Sequence, residues 1–451
     1  MRKHWKTILG ILLLLGVGFG IAFQQFIDVM VNGVADSSGP QEMMPTTTNN
    51  LPKLTTDSDD WPRWRGPNID GKSATTGINT DWSKGLKKLW EVNYLCSGKR
   101  SETWSAPVIQ GNRLVVMGRN ETDDLLFCIN PESGKLIWQS SYPAKAKNSY
   151  GTGARATPFI DGERIYTFGR SGDLVCWSLY DGKLIWRKNV NDEGGKTPRW
   201  GHSATPLVHN HQVIVQGGGV ARVLAYNKLT GALIWKNGNG EAGYAASILF
   251  TNGDQEEILV FHGEGLSSHA PADGNELWQI PWATDYHVNA TTPLVDGSTI
   301  FITSAYKMGG RALTVKGTQV ETLWKTKTFA SHHSDPILLD GYFYGYSGQS
   351  KQNKGHFKCV ELKTGTEKWS SGAAGWGTMI YVDGHFICLD IKGNLHLIKP
   401  SPDAFQKIAS INGILPGAKN PTWTKPIVAN GRLFLRYRQR LLCYGLVSMG
   451  K

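Results

Sequence analysis

Residues Val223 to Trp235 read VLAYNKLTGALIW, and copies of that stretch recur along the chain. A run of β-formers, a polar turn supplied by Asn227, Thr230 and Gly231, and a second short run closing on Trp235 make a hairpin signal. The same text returns as LFCINPESGKLIW ending at Trp138 and LVCWSLYDGKLIW ending at Trp186. Looser copies are SSHAPADGNELW at Trp278 and KCVELKTGTEKW at Trp369, while Trp90 and Trp324 keep only the tail. Successive tryptophans of this set lie 43 to 49 residues apart, a period too long for helical solenoids and suited to four strands with their turns.

A second marker runs in phase with the first. A small residue, Pro, an apolar run and a turn appear as SAPVIQGN at Ser105, ATPFIDG at Ala156, ATPLVHN at Ala204, TTPLVDG at Thr291, SDPILLDG at Ser334 and TKPIVANG at Thr424. Degenerate copies at Ala245 (AASILFTNG) and Gly377 (GTMIYVDG) bring the number to eight. Four-stranded units repeated in this way predict an all-β fold, an eight-bladed β-propeller. After Thr424 only three strands remain, with no Trp-terminated fourth. Leu86 to Val92 is such a strand with no predecessors, so it is expected to complete the eighth blade and close the ring, which removes exposed sheet edges.

Three segments are expected: an N-terminal membrane anchor or signal segment over 1–27, a flexible linker over 28–58, and the propeller over 59–451. Arg2, Lys3 and Lys6 precede an uncharged apolar run from Ile8 to Phe23, which predicts a transmembrane or signal helix that carries the propeller to the periplasmic or other extracytoplasmic side. Residues 28–58, rich in Ser, Thr, Asn and Pro, have little to bury and read as a tether. The entry DDWPRWRGPNIDG, from Asp59 to Gly71, carries Trp61, Pro62, Trp64 and Pro67 without alternation, and is expected to be pinned on the propeller rim by aromatic packing.

The net charge of +11 is scattered between tight turns, and nucleic acid is excluded as a partner. Arg436, Arg438 and Arg440 form the nearest approach to a basic cluster. Arg119, Arg170, Lys307, Lys392 and Arg438 fall in or near turns between second and third strands and are expected to add positive charge to that face. Cys128, Cys176 and Cys359 each stand six residues before a turn glycine, where Ala225 stands in another repeat. The slot reads as a small buried site, and equivalent slots in different blades should not bring two sulfurs together. Cys96, Cys388 and Cys443 are less constrained, and no cysteine-based metal motif appears.

The repeats NKLTGALIW, LKTGTEKW and LYDGKLIW resemble the PQQ-type propeller repeat of the quinoprotein alcohol dehydrogenase-like superfamily, over about 86–447. That superfamily joins neighbouring blades through its tryptophans. It includes PQQ-dependent dehydrogenases and non-enzymatic envelope proteins such as the BamB-type assembly factors, and the opening WPRWRGPNIDG resembles planctomycete-type anchored repeat proteins. The resemblance implies architecture rather than chemistry. A PQQ-dependent dehydrogenase acting on alcohols or sugars would need PQQ with calcium, a carboxylate base and, in many members, a disulfide between adjacent cysteines. This chain has no adjacent cysteines, and Glu102, Asn289 and Glu264 are oxygen donors in loops with no matching motif. BamB-type proteins are lipid-anchored through an N-terminal Cys, whereas the first Cys here is Cys96. The expectation is therefore a membrane-tethered binding or scaffolding module of the cell envelope, without catalysis and with no cofactor.

The candidate site is the channel mouth. Three residues before each Pro position stand Trp104, Arg155, Ser203, Tyr244, Ala290, His333, Trp376 and Trp423, with His202, Asn289 and His332 one residue earlier. If these face the channel, they form a half-aromatic, half-polar funnel for a small polar or aromatic ligand or for a side chain of an envelope protein. His332 and His333 are adjacent, which in an extended strand sends them to opposite sides and argues against a two-His metal site. The long connections Gln139 to Gly153, Arg187 to Gly201 and Ile411 to Thr422 point to the same face as a place for binding.

Overall fold

The computed structural model describes residues 51–145, 150–349, 355–418 and 422–447. The expected anchor over 1–27 and the tether as far as residue 50 lie outside them. Among the described residues no helix is long and apolar enough to cross a membrane.

The described chain is an eight-bladed propeller. Blades 1 to 7 begin with the short inner strands Val108–Gln110, Phe159–Asp161, Leu207–His209, Ile248–Asn252, Leu294–Asp296, Ile337–Leu339 and Gly377–Val382, and each runs outward through three more antiparallel strands. Blade 8 takes Ile427–Ala429, Arg432–Tyr437 and Arg440–Gly445 from the C-terminal part and Lys88–Val92 from the front. Trp90 stands opposite Cys443 and Val92 opposite Leu441, so the ring closes as the missing fourth strand required. Second and third strands are buried on both faces, as in Arg113–Arg119 and Asp123–Ile129. That double burial is why they read as continuous apolar runs rather than alternating ones.

The repeat VLAYNKLTGALIW is explained at the blade boundaries. The Trp90 indole N–H donates to Pro131 O, Trp138 to Leu179 O, Trp186 to Lys228 O and Trp235 to Pro271 O, at 3.0–3.2 Å. Each acceptor lies in the outermost turn of the next blade. The glycine of that turn lies under the indole: a Cβ on Gly134, Gly182, Gly231 or Gly274 would stand 2.3–2.8 Å from the tryptophan of the preceding blade, and all four glycines have positive φ. Trp324 and Gly365 repeat the pair. Trp and Gly of one repeat therefore belong to two different joints. Trp278 is the exception, because blade 5 has only a short turn at Gly317, and its indole donates instead to Glu257 within its own blade.

Opposite each tryptophan is the small slot: Cys128, Cys176, Ala225, Ser268, Ala312 and Cys359 face Trp138, Trp186, Trp235, Trp278, Trp324 and Trp369. Cys443, left unconstrained by the sequence, fills it opposite Trp90. All six cysteines are free thiols. One residue before each tryptophan the outer strand bulges, which places Ile185, Ile234 and Leu323 in solvent. A bulge twists the outermost edge away from regular pairing and blunts it against another strand.

The entry segment lies elsewhere than expected: it crosses the axis instead of resting on the rim. Trp61 bridges Ile109 of blade 1, Pro62 O accepts from Ile160 of blade 2, Gly71 O accepts from Tyr381 of blade 7, and Lys72–Ser73 pairs in parallel with Tyr381 and Val382. The reason is the unpaired inner edge of each innermost strand, whose buried N–H and C=O groups need partners. Residues 51–58, read above as part of the tether, lie along the propeller for the same kind of reason: Asn112 donates to Lys53 O, Arg113 to Pro52 O and Tyr180 to Leu51 O.

Candidate functional site

On the face that carries the interblade connections, the channel opens into a cavity of about 500 Å³. Its closed end is the entry segment. The Trp64 indole reaches into the ring and donates to Thr292 Oγ1 at 3.0 Å, and the Lys425 ammonium lies 4.2 Å from its ring centre. Beneath it Asp335 is buried with Lys425 and Arg65, the latter at 3.4 Å. Burial alone would raise the Asp335 carboxyl, but the two cations and the Thr292 N–H hold it below the usual carboxylate range. Burial lowers the Lys425 ammonium to about 8.

Seven of the eight counted positions line this cavity: Trp104, Arg155, Ser203, Tyr244, Ala290, His333 and Trp423. Trp376 does not. Its ring is fully buried among Tyr346, His333 and the sheets, and its N–H donates to Gly348 O. In the copies with Pro, the inner strand starts one residue after it. In blade 7 the strand begins already at Gly377 and Trp376 enters the sheet interface, whereas in blade 4, which also lacks Pro, it begins at Ile248, in register with the Pro copies.

His202 and Asn289 also stand outside the lining. The His202 ring packs 4.7 Å from Phe168. Asn289 is a fully buried staple, donating to His262 O and Trp282 O while accepting from Ser304. Each lies one residue before a lining position, on the opposite side of an extended segment. His332 breaks that rule. The chain bends at 332–333, so both imidazoles line the cavity, with ring centres 4.4 Å apart; the expectation that they diverge is corrected by this bend. Among the described residues no cluster of three or more His, Cys, Asp or Glu is disposed to hold a metal ion.

The aromatic and charged lining residues that escaped the sequence reading are Trp64, Tyr150, Arg199, Trp200, Tyr286 and Tyr306. The long connections after Trp138 and Trp186 were the available signal for Tyr150, Arg199 and Trp200. Together with the counted positions they form a continuous aromatic belt. Trp104 touches Trp423, Trp423 touches His333, and the contacts pass on through His332, Tyr306, Tyr286 and Trp200 to Tyr244, with centroid distances of 4.4–6.1 Å. Tyr150 joins at Trp423. Neighbouring rings in the belt are tilted or edge-on, at 52–81°. Tyr150, Tyr286 and Tyr306 hold φ of 56–60°. For bulky residues that is a strained conformation costing about 1–2 kcal/mol each, of a kind that concentrates at functional sites.

The charges in the lining are of one sign. Arg155 sits in the gap between Tyr150 and Tyr244, where burial and then Arg170 lower it to about 9 while the two phenols oppose them. Arg199 lies over Trp200 and Tyr286, at 5.4 and 4.8 Å. No carboxylate is among the described lining residues. Burial first, then His332, Lys425 and Arg155, lower His333 well below the ordinary imidazole range. Neither Trp423 Nε1 nor His333 Nε2 has a hydrogen-bond partner among the described residues. Arg119 and Arg170, expected to charge this face, are internal instead. Arg119 is ion-paired with buried Asp124 at 2.8 Å, and Arg170 donates to Gly151 O.

Residues 123–371 match the profile of the PQQ_2 family, described as outer membrane protein assembly factor BamB. Tetrathionate hydrolase of Acidithiobacillus ferrooxidans is 21% identical over 255 residues, a match covering 52% of this chain and 47% of that protein. The chain thus spans about half the length of this relative. Among solved structures, BamB from Moraxella catarrhalis superposes with a TM-score of 0.56 at 13% identity, over 81% of this chain and 99% of that one. A europium-containing methanol dehydrogenase gives 0.61 at 12% identity, over 85% and 90%. Quinohemoprotein alcohol dehydrogenase from Comamonas testosteroni gives 0.58 at 12%, over 87% and 82%. At such identities the shared feature is the fold.

Proposed function

The chain belongs to the PQQ_2 family, whose profile covers more than half of it, and from that premise we propose that it is a binding module of the cell envelope that captures a small ring-bearing ligand, free or displayed by an envelope protein, without chemistry of its own. The observation that carries this reading is the aromatic belt around a cavity of about 500 Å³, within the size range of small-ligand sites, roughly 300–1,000 Å³. Packing alone does not call for such a cavity. The basic, then apolar run at the N-terminus supports a membrane tether with the propeller outside the cytoplasm. Nucleic acid is a poor partner, because Arg436 is buried against Ser105 O and Arg440 is held by Glu91.

The dehydrogenases of this fold bring PQQ with calcium to mind, and the donor set here does not fit that pair. Calcium takes six to eight oxygen ligands, carboxylates prominent among them, and no carboxylate is among the described residues that line the cavity. Glu102 faces Arg438 at 3.8 Å, Glu264 is exposed outside the lining, and Asn289 uses its amide on two carbonyls. The test is incubation of the purified protein with PQQ and calcium. The expected result is no retained quinone absorbance and no dye reduction with alcohols or sugars; either signal would restore the dehydrogenase reading.

A further inference from the structure

We infer that the cavity takes a neutral saccharide, a glucose-configured pyranose held by its C–H faces against the aromatic belt and by its hydroxyls at Gln349, Tyr286 and Tyr306. This rests on the binding reading above and names the class of ligand. Three features of the lining converge on that class.

The first is a set of polar groups that the protein leaves uncommitted. The Gln349 amide, the Tyr286 and Tyr306 hydroxyls and the Trp200 indole N–H belong to lining residues and have no hydrogen-bond partner among the described residues. Tyr286 is 53% exposed, and the polar atoms of the other three keep contact with solvent. An amide and a phenol each donate and accept. Ligand hydroxyls have the same double character, so several of them around one ring answer several such sites at once. Ser203, whose own hydrogen goes to Tyr244 O, adds an acceptor.

The second is charge. Arg155 is engaged within the protein, and Arg199 stands exposed against the rings of Trp200 and Tyr286. A cationic ligand would meet these two guanidiniums and, among the described lining residues, no carboxylate. An anionic one would give up its hydration for a single guanidinium already in water, where ion pairs contribute little. A neutral ligand avoids both costs.

The third is the set of ring planes. Adjacent members of the belt meet at 52–81°, so a flat fused ring that stacks on one member meets the next at a steep angle. Aromatic faces carry negative partial charge and attract polarised C–H groups. A glucose-configured ring, with its hydroxyls equatorial, keeps axial C–H groups on both faces and so meets mutually inclined rings.

The test is calorimetric titration of the full chain, purified in a detergent without a sugar headgroup, with cellobiose, its acidic counterpart cellobiouronate, and 1,4-naphthoquinone as a flat neutral ring. Cellobiose should bind, cellobiouronate no more tightly, and naphthoquinone more weakly. Tyr306→Phe, which removes one hydroxyl and keeps the ring, and Gln349→Ala should each weaken cellobiose about two- to tenfold. Tighter binding of cellobiouronate, or naphthoquinone bound as tightly as cellobiose, overturns the assignment of class while leaving a binding cavity in place. Failure of cellobiose to bind, or binding that either variant leaves untouched, overturns it as well. Dye reduction with PQQ and calcium, whatever the sugars do, counts against the earlier reading instead.

Discussion

The propeller holds two populations of tryptophan that the same residue type serves in opposite ways. Those ending the repeats, such as Trp138, Trp186 and Trp235, are buried, satisfy their N–H on the next blade and rest on a glycine that leaves no room for a Cβ. Those of the interblade connections, Trp104, Trp200 and Trp423, stand partly open around a cavity and meet other aromatics at steep angles. The first set is part of the periodic pattern because every blade boundary poses the same packing problem. The second departs from periodicity because a ligand site needs to be made only once.

The comparison breaks most decisively at a joint. Trp186→Ala removes a buried indole from the boundary between blades 2 and 3 and leaves Lys228 O with the Tyr166 hydroxyl as its one remaining donor among the described residues. It should cost about 3–5 kcal/mol, read as a shift in the chemical-unfolding midpoint. A loss below about 1 kcal/mol would mean that the Trp–Gly joints do not hold the ring together.

Acid sharpens the contrast, because the joints use backbone carbonyls while histidines cluster near the mouth. Burial, then Arg222 and His269, lower His262 to about 3. The unfolded state binds this proton below pH 6.5 and the folded state resists it, so stability is present above that pH and is lost as pH falls towards the folded value. At pH 5 the loss from this residue is about 2 kcal/mol. His262→Gln should therefore shrink the difference in unfolding free energy between pH 7 and pH 5 by that amount. An identical pH dependence in both proteins would contradict the assignment.

Much of the ring was legible from sequence because its rules repeat. Trp spacing gave the blades, and Trp90 without preceding strands gave the closure. The mouth was legible only where it borrows that register, three residues before Pro. The reading failed where local geometry overrode the count: at Trp376, where the inner strand of blade 7 starts early, and at His332, where a bend undoes alternation. Trp64 was misplaced because a segment without periodicity says nothing about which unpaired edges it will satisfy. Tyr286 and Tyr306 left no signal in one sequence, since left-handed tyrosines are recognised only in three dimensions.

The measurement that bears most directly on this division is the thermal and chemical stability of Trp423→Ala beside the wild type, taken together with its binding of cellobiose. The account predicts a loss of stability clearly smaller than that of Trp186→Ala, as for a half-buried residue packed at the edge of the core, and a loss of binding. A fall as large as that of Trp186→Ala, with binding unchanged, would make the mouth aromatics a packed neck of the channel and not a site.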